Sequence, residues 1–241
     1  MGACGSPTRA QQAATGRQLA EAVRQAQQGG VRVTLEESLA LNGGSLAAGQ
    51  EYRLQASGSG LARGDQARFS YAIDQGSQRA TYQMMFDASR LYVEHAPSSG
   101  WKSVPLESMT SLFPALRLTL IRQSLLLASS ISSPQLIHLN SGFARSYAIQ
   151  PGPDQVQQLQ SIAVDPSIEA AFLKQAQTQI DVDLSLPGDR LLQIQVHLAA
   201  TDPVSGQHQE ILSTASFSPA RVGDLSPPGG DVATSPGEIL A

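Results

Sequence analysis

One cysteine, one tryptophan and few charges set the first limits on this chain. The cysteine is Cys4, in the opening stretch "MGACGSP", which rules out an internal disulfide framework and a multi-cysteine zinc or iron–sulfur site. Cys4 is therefore free, linked between chains, or chemically modified. Charged residues are 15% of the 241 positions, 16 basic against 20 acidic, for a net charge of −4. The basic residues are scattered, as at Arg53, Arg63, Arg68, Arg79 and Arg90, with no stripe interleaved with aromatics, which argues against nucleic acid as a partner. No run of 18 apolar residues occurs, so no segment reads as a membrane-spanning helix. The longest apolar stretch, 112–131, is broken by Arg117, Arg122 and Gln123. A charged start followed by an apolar stretch is also missing at the N-terminus, so either the protein is not secreted or the sequence as given starts near a processing site.

Catalytic signatures are missing as well. There is no G-x-S-x-G elbow, P-loop, H-E-x-x-H or dinucleotide fingerprint. The four histidines, His95, His138, His197 and His208, stand apart from metal-ligand spacing and read as ordinary strand or loop residues. Asp181 and Asp183 alternate with Ile180 and Val182, which predicts a solvated sheet face rather than a catalytic pair. The expectation is a protein that is not an enzyme and uses no metal or cofactor; a hydrolase built on His95 or His138 is the weaker rival.

What the chain does have is alternation. A fold of this length buries about 70% of its unfolded surface, enough for one domain without staples. Residues 5–15 are small and polar and read as a flexible leader. From Gly16 to Gln28, Leu19, Ala22, Val23 and Ala26 share one helical face, and Gly29-Gly30 ends it. Period-two runs follow: Val31, Val33, Leu35, then Leu39 and Leu41; Tyr52, Leu54, Ala56; Phe69, Tyr71, Ile73; Tyr82, Met84, Phe86; and 90–96. "NGG" (42–44), "SGSG" (57–60), "RGD" (63–65) and "DQGS" (74–77) read as the turns between them, "RGD" as a hairpin turn rather than an adhesion motif. Residues 100–130 carry apolar side chains near helical spacing, and Pro114 divides them into two short helices. Residues 136–152 return to strand, 165–179 read as a helix with Asp165 as N-cap, and three more strands follow from Ile180 through 218. The sum is an α+β domain: a curved antiparallel β-sheet with helices gathered on one face. Such a face is either a packed core or the wall of an apolar cavity, for which Tyr, Met and Phe are suited.

The order of these elements resembles the LolA/LolB-like lipoprotein-carrier superfamily of bacteria, most of all its LppX/LprG branch. The resemblance is carried by "VRVTLEESLAL", "EYRLQASGSGLARGDQARFSYAI", "MMFDASRLYVEHAPSSGWKSVPL" with its single Trp, "GFARSYAIQPG", and the closing strands with their proline-rich exit. It implies a half-barrel wrapped around helices with an apolar cavity between sheet and helices, formed by residues 16–228. Residues 1–15 would be a leader carrying a lipid anchor, and 229–241 a flexible tail. It also implies an extracytoplasmic lipoprotein, a monomer, that binds or carries lipids, acylated glycolipids or lipoproteins without a cofactor. The rival reading is a lipoprotein with a filled core, acting as a structural or protein-interaction module. By family position the strand residues expected on the cavity wall are Phe69, Tyr71, Tyr82, Met84 and Phe86. Trp101 and the insert residues Leu112, Phe113, Leu116 and Leu120 complete the set.

Two anchoring patterns compete for the N-terminus. "M-G-x-x-x-S" fits myristoylation at Gly2, with Cys4 then open to palmitoylation. "G-A-C" fits the end of a bacterial lipobox, with the signal peptide removed and Cys4 as the lipid-bearing residue. An incidental exposed cysteine is the third possibility. A carrier-like body favours the bacterial arrangement, with the protein tethered to the cell membrane through Cys4.

Overall fold

The first helix starts where its own side chains cap it. The computed structural model describes residues 7–43, 51–75, 78–87, 89–95, 100–105, 114–139, 142–156, 177–201, 206–226, 228 and 231–232. Its helix α1 runs Arg9–Gly29. Thr8 Oγ1 accepts from Gln11 N at 3.3 Å, and Thr8 N donates to Gln11 Oε1 at 2.7 Å, a reciprocal capping box. Residues 9–15, assigned above to the leader, are therefore helical. The helix stops at Gly30, whose φ of +78° suits glycine.

Strands β1 (Val31–Asn42), β2 (Glu51–Arg63), β3 (Gln66–Gln75), β4 (Gln78–Phe86), β5 (Arg90–His95) and β6 (Lys102–Pro105) form an antiparallel meander. A 3-10 turn (Pro114–Leu116) and helix α2 (Leu118–Leu126) come next. The second half is β7 (Ser130–Ile131), β8 (Gln135–Leu139), β9 (Gly142–Gln150), β10 (Gln177–Ser185), β11 (Leu191–Thr201) and β12 (His208–Pro219). Pairing of β1 with β12 over their full length joins the two halves into one open sheet. The "RGD" stretch is a hairpin turn as expected: Arg63 pairs with Gln66, and Gly64 supplies the positive φ.

Three further expectations change. "SGSG" is no turn but the middle of β2, where Gly58 and Gly60 stand opposite Tyr71 and Phe69. A Cβ at Gly60 would lie 1.9 Å from the Arg68 carbonyl oxygen and 2.7 Å from Phe69 Cδ1, so the bare backbone makes room for the neighbouring strand and its ring. Residues 136–152 form a hairpin of two strands, β8 and β9, rather than one. Two short helical segments stand in the described part of 100–130, as expected: Pro114 opens the 3-10 turn and α2 follows it. In the region read as a tail, Asp231–Val232 (β13) pairs in parallel with β6. The helix expected at 165–179 and its cap Asp165 fall outside the described residues up to 176, while 177–179 belong to β10.

Laid flat, the twelve strands on the main path would span roughly 50 Å at about 4.8 Å each. Yet side chains from β1, β3, β4, β5, β10, β11 and β12 join α1 and α2 in one buried cluster. The sheet must therefore curve around the helices, with alternate residues such as Val33, Leu35, Met84, Ile180 and Ile194 facing inward. On the convex side, Ala72 and Met85 are buried outside that cluster. From Pro219 the chain runs along the rim, where Ala220 N donates to Gly30 O at 3.2 Å and Arg63 Nη1 to Val222 O at 3.2 Å. Leu225 on this segment is buried.

Candidate functional site

The concave face of the curved sheet carries a polar knot. Glu37, on the inward face of β1, accepts Tyr71 OH on Oε2 at 2.6 Å and Ser213 Oγ on Oε1 at 2.7 Å. Ser213 Oγ in turn faces Ala115 N at 3.4 Å, tying the 3-10 turn to β12. Burial, and then the charge and hydrogen bond of Glu37, push the Tyr71 phenol far above its ordinary pKa, so it remains a donor. The knot satisfies polar groups that would be costly alone in this apolar setting, and fixes the start of the α2 segment over the sheet.

Beside it, α2 roofs an open cavity of about 430 Å3. Val33, Phe69, Phe86, Leu118 and Phe217 supply its apolar walls. Phe69 and Phe86 stack at 5.9 Å with an interplanar angle of 17°. The rim is polar. Gln27 Nε2 donates to Asp65 Oδ1 at 2.8 Å, and Gly64 N donates to Gln27 O at 2.6 Å, so α1 is tied to the β2–β3 turn at the mouth. Arg117 also lines the space, and burial pushes its guanidinium pKa down. Asp87 stands at the same rim. Burial works to raise its carboxyl, but donors from Ser89 N, Arg90 N, Ser89 Oγ and Tyr92 OH bring it below the usual range. Chemically this is a container with a polar lip.

Of the residues expected on a cavity wall, Phe69, Phe86, Leu116 and Leu120 come together here. Tyr71, Tyr82 and Met84 are buried in the core and do not line this space; Tyr82 packs its ring against His95 at 5.1 Å. Trp101 is half-buried just before β6, at the far end of the meander. Leu112, Phe113 and Cys4 lie outside the described residues. The sequence does not single out Val33, Leu118 and Phe217 as wall residues. Each sits at an inward position of a periodic segment, and that periodicity is their only signal.

The expected solvated face at Asp181 and Asp183 needs correction. Asp183 is buried, with 7% of its surface exposed, and its Oδ1 has no hydrogen-bond partner. Burial raises its pKa against the Ser146 hydroxyl bond, with the Asp181 charge adding to the rise. Burial also raises Asp181, opposed by the Gln179 amide and by His197.

No protein-family model matches the sequence, and no curated protein is similar to it. Among solved structures, the chain is similar to LprF from Mycobacterium bovis, at 11% identity and a TM-score of 0.46, covering 94% of this chain and 100% of that one. It is also similar to an uncharacterized conserved protein from Thermus thermophilus, at 8% identity and a TM-score of 0.38, covering 91% and 98%. A DUF1329 family protein from Desulfovibrio piger is similar at 10% identity and a TM-score of 0.33, covering 87% and 95%.

Proposed function

We propose that the protein is a lipid-binding carrier that holds the acyl part of an amphiphile in the cavity beneath α2. The observation that carries this reading is the cavity itself: about 430 Å3, apolar-walled and polar-lipped, within the range typical of ligand sites. Burial drives the binding. Six to eight methylenes taken from water are worth about 5–6 kcal/mol before ordering costs. The reading includes an extracytoplasmic location and a lipid tether on Cys4, supported by the "G-A-C" pattern. Among the described residues no helix is long and apolar enough to cross a membrane. The rival, a filled module for protein contacts, draws on the complete burial of Tyr71, Tyr82 and Met84 in a continuous core.

Native mass spectrometry of the protein expressed in bacteria separates the two. Co-purified lipid, and uptake of a fluorescent fatty acid that Leu120→Trp reduces at least tenfold, supports the carrier. Thr119→Trp, at an exposed position lining the same space, serves if the first variant fails to fold. A clean apo mass with no uptake favours the filled module. Labelling with a clickable lipid, lost in Cys4→Ala, tests the tether; an unlabelled wild type removes it.

A further inference from the structure

The other flank of α1 faces a second open cavity, of about 500 Å3, bounded by the β10–β11 turn and the end of β12. Among the described residues, Phe217 is the one that lines both spaces. The second cavity exists because α1 turns small residues toward it. Ala22, Ala26 and Gly29 follow one another at helical spacing, and a Cβ at Gly29 would meet nothing within 4 Å. Opposite them stand Phe143 and Leu186, which keep 57% and 38% of their surface exposed. Large apolar side chains exposed around a concave space mark a place where something apolar is covered.

Charge at this mouth is of one sign. Arg190 lines the cavity, and no carboxylate among the described residues pairs with it. Its neighbour Asp189 is already engaged, accepting from Arg145 Nη2 and from Gln18 Nε2, the latter at 2.8 Å. The loop that carries Arg190 is held by Ser185: Arg190 N donates to Ser185 Oγ at 3.1 Å, and Ser185 N donates to Arg190 O at 2.8 Å. A guanidinium carried on a fixed backbone, unpaired with any described carboxylate and beside an apolar trough, fits an anion attached to a tail.

We propose that this cavity is a second binding site, separate from the one beneath α2, for a single-tailed amphiphile whose carboxylate or phosphate head sits on Arg190 and whose tail lies along Ala22, Ala26 and Phe143. It stands whether or not the cavity beneath α2 is occupied.

Calorimetric titration of the full chain tests it, with sodium laurate, dodecyl phosphate and uncharged dodecyl maltoside as probes. Wild type takes up two laurates. Gly29→Trp, which fills the trough without a backbone clash, takes up one; Gly29→Leu is the milder form if the first is unstable. Arg190→Glu weakens the second site at least tenfold toward the anionic probes and leaves dodecyl maltoside unchanged. A larger loss for dodecyl phosphate than for laurate assigns the head as phosphate, and the reverse as carboxylate. Unchanged laurate stoichiometry in Gly29→Trp overturns the second site. If Leu120→Trp alone removes binding, the cavity beneath α2 stands and this one falls. If Gly29→Trp alone removes it, this cavity stands and the one beneath α2 falls.

Discussion

Asp183 and Asp87 pull the stability of the protein in opposite directions with pH. The Asp183 pKa is raised by burial, so its contribution is fully present below the unfolded value of about 3.9 and is lost as pH rises through the folded value. Asp183→Asn is therefore expected to stabilise the protein by about 1 kcal/mol at pH 7 and to change little at pH 3. The Asp87 pKa is lowered by its donors, so its contribution is present above the unfolded value and lost as pH falls through the folded one. Asp87→Asn should destabilise at pH 7 and be neutral at the acid end; urea melts across that range check both signs. Gly60 offers a steric test. Its alanine variant must displace the β3 backbone and the Phe69 ring, at a cost of about 2–3 kcal/mol, readable as a lower urea midpoint with an unchanged slope.

The helices and strands differ in how openly the sequence declares them. Inward alternation along β1, β3, β4 and β10–β12 is legible because one buried face imposes a period of two. β2 is easily misread because glycine pairs usually punctuate turns, whereas here they face aromatic rings across the sheet. The start of α1 is written in the sequence as Thr8 followed by Gln11, a capping signal hidden by the small polar residues around it. Thr8→Ala should cost about 1 kcal/mol and speed amide exchange in the first turn. Gly16 marks where α1 meets α2: a Cβ there would lie 2.5 Å from Leu125 O and 3.3 Å from Ile131 Cδ1. Gly16→Ala should force the helices apart, costing about 2 kcal/mol and lowering Tm by roughly 4–8 °C in a thermal melt. Half of the cavity wall is legible as strand and helix faces. The meeting of Phe69 with Phe217 is not, because it depends on β1 pairing with β12, and no local pattern encodes that partner.

At the scale of the whole molecule, the segment after β12 returns across seven strand spacings, about 34 Å along the sheet, to pair with β6. Ending the chain after Arg221 removes Val222 from Gly30 and Arg63, the buried Leu225, and the partner of Lys102 and Ser103. That variant should melt earlier and lose hydrogen-exchange protection in β6 before β1. The seam between the two halves has a different consequence, one of timing. Val31 finds its partner only at Pro219, 188 positions later, so the earliest strand waits for the last long one. Loop closure over that distance makes folding slow relative to a protein of local contacts. During synthesis, one edge of β1 stays unpaired until nearly all of the chain has emerged, and that interval is when the protein most needs shielding.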